Sequence, residues 1–327
     1  MNKRNIFYYD ESFHTRKITK GYMDENCDSY VGASVGWNAS KDEKIREYYQ
    51  AFEDRYKTFY GVDELKSQII KKKFYEYGIA SFKKDQLNFY IDYFSILEKG
   101  IFIYVCVLSK METVIRQLIY PYYGYDTQMC QSIVYILTKA IWTYRPDNVI
   151  NALFTESDKF MLELKTFLKM KVREIRGLDH KELELNAFQQ CLQILNDNLN
   201  FTINFDWNYD IAFYGLKLLT KELHLNQNRL SLILDNEGKA EIESKTLRGA
   251  KNVGFHQAIE VDSTMEMGVR IADLLCGFVG RIIRAMEESY SYKNDEFKQT
   301  KLIDCKWFKL SEEQFGLYKK QQIYSLG

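Results

Sequence analysis

Three carboxylates stand where the apolar logic of their segments breaks. Asp10 follows Ile6-Phe7-Tyr8-Tyr9, Asp235 follows Leu230-Ser231-Leu232-Ile233-Leu234, and Asp273 interrupts Val269-Arg270-Ile271-Ala272-Asp273-Leu274-Leu275-Cys276-Gly277. Short runs of branched and aromatic residues read as buried strands, and ligand sites in α/β sheets form just beyond the carboxyl ends of such strands. Asp10 and Asp235 therefore meet if their strands are parallel neighbours. Asp273 belongs to a helical pattern: Val269, Ala272, Cys276, Val279 and Ile283 make one apolar stripe, and Asp273, Gly277, Gly280 and Arg284 make a second line beside it. A glycine inside a helix costs about 1 kcal/mol against alanine. Gly277 and Gly280 therefore point to a close approach of this helix to the sheet, which would carry Asp273 to the strand ends. Crowded carboxylates repel and need a cation to stay charged. Hard oxygen ligands select Mg²⁺ or Mn²⁺, ions that assist phosphodiester cleavage.

Each acid also has a structural reading. Asp10 and Ser12 could cap a turn, Asp235-Asn236-Glu237-Gly238 is good turn chemistry, and Asp273 could pair with Arg270 or Arg284. Further candidates surround them. Glu11 is a ligand or a solvated strand-end residue. Glu64 and Lys66 in the segment GVDELKS offer a ligand and a phosphate-facing lysine, or a plain surface loop. Asp262 ends a strand and is a candidate metal ligand, whereas Ser263-Thr264-Met265-Glu266 fits a helix capping box with Ser263 as the cap. Lys239, Lys245, Arg248 and Lys251 alternate with Glu237, Glu241 and Glu243 in what reads as a mobile charged loop, with Arg248 and Lys251 as candidate backbone contacts. Ser12 and Arg270 complete the candidate substrate-binding set. The histidines His14, His180, His224 and His256 form no triad or zinc motif, and the glycine-rich phosphate-loop signatures are absent.

The elements that must position these residues alternate along the chain. Strands are expected at Ile6–Tyr9, Ser29–Trp37, Ile101–Leu108, Phe201–Phe205, Leu230–Leu234 and Gln257–Val261. Helical spacing covers Lys41–Tyr60 and Ile69–Leu97, closed by Gly100, and then extends to about Tyr144. Helices follow near 157–176, 180–200 and 209–224, with Gly177-Leu178-Asp179 as a turn, and a last one runs from about Gly268 to Glu288. The expected fold class is α/β, a mixed sheet flanked by helices. It forms a single domain over 1–327, with a large helical insertion at about 110–225 and a C-terminal extension at about 290–327.

Composition narrows the function. Lys+Arg and Asp+Glu balance at 45 each, which argues against a general polyanion-coating protein, since non-specific nucleic-acid affinity comes mainly from released phosphate counterions. A local patch with a bound metal is not excluded. The six cysteines are scattered without zinc spacing and read as reduced, mostly buried thiols. No apolar run is long enough for a signal peptide or a membrane span. The expectation is a cytoplasmic protein with no membrane partner.

At the same segments the chain resembles the bacterial domain-of-unknown-function family 3800. The motifs are Asp10-Glu11-Ser12 after a strand, Leu234-Asp235-Asn236-Glu237, Asp262-Ser263, the Ala272-Asp273-Leu274-Leu275 helix, and Glu64-Leu65-Lys66. This family is similar to the ribonuclease H-like superfamily. The resemblance implies a ribonuclease H-like sheet and a metal-dependent nuclease acting on DNA or RNA, in phage defence or a mobile element. Asp10, Asp235, Asp273 and Asp262 would be metal ligands, and Glu11, Glu64 and Lys66 catalytic. The chain departs from the pattern twice, with Phe13 in place of glycine and Arg270 in place of glutamine. An arginine there could neutralise Asp273 and replace a cation. The alternatives are therefore a catalytically silent binding or sensor module, with a protein partner or a second copy of itself, and a hydrolase of nucleotides.

Overall fold

The computed structural model describes residues 4–13, 16–21, 28–123, 128–155, 159–195, 203–236, 243–295 and 300–305. In chain order, β1 (Asn5–Ser12) and β2 (Ser29–Asn38) precede α1 (Asp42–Tyr60), β3 (Glu76–Ile79), α2 (Lys84–Leu97) and β4 (Phe102–Ser109). Six helices follow: α3 (Lys110–Tyr123), α4 (Gln128–Tyr144), α5 (Asp147–Thr155), α6 (Phe160–Ile175), α7 (Glu182–Ile194) and α8 (Asp210–Glu222). The chain then forms β5 (Leu230–Asp235), α9 (Lys245–Val253), β6 (Ala258–Val261) and α10 (Met267–Ser289), and β7 (Tyr290–Asp295) pairs with β8 (Thr300–Cys305) as an antiparallel hairpin.

The fold is α/β, with a five-stranded mixed sheet in the order β4-β2-β1-β5-β6. β1 and β2, and β2 and β4, pair antiparallel, whereas β1–β5 and β5–β6 are parallel. Strand side chains alternate between the two faces, and this chain uses both for burial. Phe7, Tyr9, Tyr30, Leu230, Leu232 and Leu234 join one core with residues of α3 to α9. Tyr8, Val31, Ala33 and Val35 join a second core with residues of α1, α2 and α10. The continuous apolar run of β2 follows from this, since all its residues except Asn38 are buried. The helical span from α3 to α8 shares this core with the sheet, and α3 and α8 contact β4 directly. Among the described residues, no helix is long and apolar enough to cross a membrane.

Several expected elements differ. The segment Ile69–Leu97 is not one helix. It holds short 3₁₀ turns at Ser67–Ile69 and Lys72–Tyr75, then β3, and becomes α-helical only at Lys84. Gly78 in the left-handed region (φ 59°) marks the break. Of the strand expected at Phe201–Phe205, residues 201 and 202 lie outside the described residues and 203–205 form no strand. Asp206 makes one isolated bridge with Lys17, and the Ile18 amide donates to the Phe205 carbonyl at 2.7 Å. Lys245, Arg248 and Lys251 lie on a helix rather than a loop, capped by the Ser244 side chain, which accepts from the Leu247 amide at 2.9 Å. Lys239, Glu237 and Glu241 lie outside the described residues.

The glycines of α10 are contact points. A Cβ at Gly268 would run into the Tyr8 ring, one at Gly277 into the Cβ and Oγ of Ser67, and one at Gly280 would sit 3.2 Å from Ser12 and Phe13. Helix propensity favours alanine over glycine by about 1 kcal/mol, but steric overlap at Gly277 falls on a side-chain root that cannot swing away. Gly277→Ala should therefore destabilise the fold, by about 1–3 kcal/mol, in chemical denaturation. Stabilisation by Gly277→Ala would show that the close approach does not exist in solution.

Candidate active site

The parallel pairing of β1 with β5 sets the first two acids side by side. Tyr9 is in register with Leu234, where the β1–β5 pairing stops, although β1 itself runs on to Ser12 beside β2 rather than ending before the acid. The next residues, Asp10 and Asp235, therefore sit at one level. Alternation then settles their face. Tyr8 points into the α1–α2–α10 core and Tyr9 into the other, so Asp10 turns towards α10 and Glu11 towards α9. Asp273 reaches them from α10. Asp10, Asp235 and Asp273 line one cavity of about 360 Å³ together with Glu11, Ser12, Glu64, Lys66, Ser67, Ser263, Arg270 and Arg281. A smaller cavity of about 200 Å³ shares Asp10, Glu11 and Asp235 and extends on the other side to Thr246.

Most of the acids are individually held. Asp273 accepts from the Ser67 amide at 3.1 Å and the Ser67 hydroxyl at 3.2 Å. Ser263 lines the cavity with Asp235, and its polar groups and the Asn236 amide pull the Asp235 carboxyl down. Glu11 accepts from the Tyr30 hydroxyl at 2.5 Å, which itself contacts the Tyr9 hydroxyl at 2.6 Å, and from Thr246 at 3.4 Å. Glu64 and Lys66 form an ion pair at 3.4 Å on the rim.

Electrostatics sets the character of the cavity. Loss of water pushes the Asp10 carboxyl well above the usual carboxylate range, and the negative charge of Asp273 pushes it further, as do Glu11 and Asp235. Burial also raises Asp273, although the Ser67 hydrogen bonds, Arg281 and Lys66 pull the other way. Asp235 is raised by burial and by Asp273, against its donors. On balance, dehydration and mutual repulsion outweigh every donor and cation present. Such a set takes up protons or a hard cation. Its oxygen donors fit Mg²⁺ or Mn²⁺ in type, but among the described residues no group of three or more His, Cys, Asp or Glu side chains is arranged to hold a metal ion. The fit is one of charge and atom type.

The remaining expected site residues are placed as follows. Ser12 lines the cavity under Gly280. Phe13 adopts the left-handed region with φ 59°, a conformation that favours glycine. Asp262 is not part of either cavity lining. Its carboxylate accepts from the amide and hydroxyl of Thr264 at 2.8 and 2.6 Å and faces solvent. Arg248 and Lys251 are exposed on α9, away from the linings, and Lys251 pairs with Glu243 at 2.6 Å. Ser263 is not a helix cap, since α10 begins at Met267. Arg270 lines the cavity but does not pair with Asp273. Its guanidinium grips Glu53 through two bonds at 2.9 and 3.2 Å. The Arg284 guanidinium lies over the Phe13 ring. Ser67, Ser263 and Arg281 were not expected. Arg281 was legible as the next step, four residues on, in the Asp273–Gly277 line. Ser263 was singled out only as a helix cap and as part of the Asp262-Ser263 motif, and Ser67 carries no sequence signal beyond following Glu64-Leu65-Lys66.

No family model, curated protein or solved structure matches this chain. The resemblance therefore rests on the motifs, and the function on the site.

Carboxyls raised in the fold bind protons more tightly there than in the unfolded chain. They favour the fold below the ordinary carboxylate pKa, and this contribution is lost as pH rises through the folded-state values. With divalent ions chelated, the melting temperature should fall as pH rises from about 4. Asp10→Asn should flatten that profile and stabilise the metal-free protein at neutral pH by about 0.5–2 kcal/mol. A destabilised Asp10→Asn protein with an unchanged profile would contradict the repulsion.

Proposed function

We propose that the chain is a Mg²⁺- or Mn²⁺-dependent nuclease on a ribonuclease H-like sheet, hydrolysing phosphodiester bonds of DNA or RNA. The observation that carries this reading is the convergence of Asp10, Asp235 and Asp273 on one cavity, with Arg270 engaged by Glu53 rather than by Asp273. The strand order supports it. Counting only the strands of the main sheet, the order is 3-2-1-4-5 with the second strand reversed, the arrangement of the ribonuclease H-like fold.

Asp10, Asp235 and Asp273 would hold the ion, with Glu64 completing the set. When bound, such an ion polarises the phosphate and makes water a stronger nucleophile at neutral pH. The chain's own residues divide the rest. Ser67 and Ser263 hold the carboxylates of Asp273 and Asp235. Lys66 and Arg281, both on the cavity lining, meet the charge that develops on the phosphate oxygens. Glu11, fixed by Tyr30 and placed between both cavities, accepts the proton released by the attacking water at a carboxylate oxygen.

A second reading, a catalytically silent binding or sensor module, is favoured by the absence of a ready-made metal group among the described residues. Cleavage assays on single- and double-stranded DNA and RNA with Mg²⁺ or Mn²⁺, and on nucleotides, decide between the readings. The nuclease reading expects polymer cleavage that falls at least about 100-fold in Asp10→Asn and Asp273→Asn, since even partners behind the ligands are worth 10–100-fold. Cleavage that survives both substitutions would sink the site, hydrolysis of nucleotides alone would move the substrate class, and a well-folded protein inert on all substrates would leave the silent module.

A further inference from the structure

Arg270 sits in the first turn of α10, where it makes four hydrogen bonds. Nε and Nη2 bind the two oxygens of Glu53 at 2.9 and 3.2 Å, and Nη1 donates to the carbonyls of Ser263 and Thr264 at 3.1 and 3.0 Å. Glu53 is 1% exposed in the middle of α1 and also faces Lys57 at 3.4 Å. A buried ion pair is an expensive way to hold two helices together, because both ions lose water. The additional bonds to the 263–264 carbonyls give the pair a purpose that α1–α10 packing alone does not. The peptide that Arg270 grips by its carbonyl belongs to Ser263, which lines the same cavity as Asp235, Asp10 and Asp273.

We propose that Arg270 is a positioning residue. Anchored by Glu53, it pins the connection between β6 and α10 so that Ser263 holds the Asp235 carboxylate at the cavity shared with Asp10 and Asp273. A planar fork that is bidentate on one carboxylate with a nitrogen left for two carbonyls is available to arginine and not to lysine. The functional consequence rests on the reading of this cavity as a metal-assisted hydrolase. The geometric claim does not.

The test combines amide hydrogen exchange with Mn²⁺ titration calorimetry. Arg270→Gln alone leaves Glu53 buried without its partner and risks failing to fold, so the working variant is Glu53→Gln/Arg270→Gln, which removes both charges together. In the metal-free protein this variant should exchange the Ser263 amide at least about tenfold faster, with the amides of Leu232 and Leu234 unchanged. Its Mn²⁺ affinity should fall about 10–100-fold, as in Ser263→Ala. Adding Ser263→Ala to the double variant should cost no more than either alone, because both act through one carboxylate. Arg270→Lys should not restore protection. Unchanged protection of Ser263, or Mn²⁺ losses that multiply when the changes are combined, would overturn the proposal. Loss of Ser263 protection in a protein whose wild type binds no Mn²⁺ would uphold the positioning role and overturn the metal-dependent reading.

Discussion

The close approach of α10 to the sheet is the constraint on which the site depends. A helix normally stands off a sheet by the thickness of its side chains. Here, at the helix start, Gly268 lies on the Tyr8 ring. On another face Gly277 lies on Ser67 and Gly280 on the end of β1, so one line of the helix carries little side-chain volume. That line also carries Asp273. Lowering the helix brings its carboxylate to the level of Asp10 and Asp235, which the parallel register of β1 and β5 has already set together. The same approach traps the segment around Ser67, whose amide and hydroxyl orient Asp273. Backbone geometry and carboxylate placement are thus one feature.

The approach has an electrostatic cost. Three carboxyls share a partly dehydrated cavity, and each is driven towards its protonated form. The cations nearby offset this only in part. Arg270 is committed to Glu53, Lys66 to Glu64 on the rim, and Arg281 donates to the Ser67 carbonyl while lying beside the Tyr75 ring. A cavity built only for stability would pair Asp273 directly with a guanidinium, and neither Arg270 nor Arg281 forms an ion pair with it. Retained local strain of this kind is usual where a fold holds a binding site ready, and Phe13 in a left-handed conformation at the cavity edge is a second instance.

Much of this was legible in the residues. The strands carrying Asp10 and Asp235 were readable because an apolar run stops abruptly in an acid, although β1 continues two residues past Asp10, and the α10 stripe because helical spacing persists over many residues. The glycine line foretold close packing, although not that its partners would be the Ser67 segment and Ser12 and Phe13 at the end of β1. What was hidden is tertiary. Spacing could not show that Arg270 turns towards Glu53, more than two hundred residues earlier, rather than towards Asp273 three residues on. Nor could it show that Asp262 folds back onto Thr264. The segment after Ile69 looked helical because its apolar spacing is imposed by packing under α10 rather than by a continuous helix.

The central claim is that Asp10, Asp235 and Asp273 form one cation-demanding cluster. It is tested most directly by diffraction from crystals equilibrated with Mn²⁺, using the anomalous signal of the ion. The account predicts a peak bounded by these three carboxylates, lost in Asp273→Asn crystals. An empty cavity at saturating Mn²⁺, or a peak confined to surface acids such as Asp262, would contradict it.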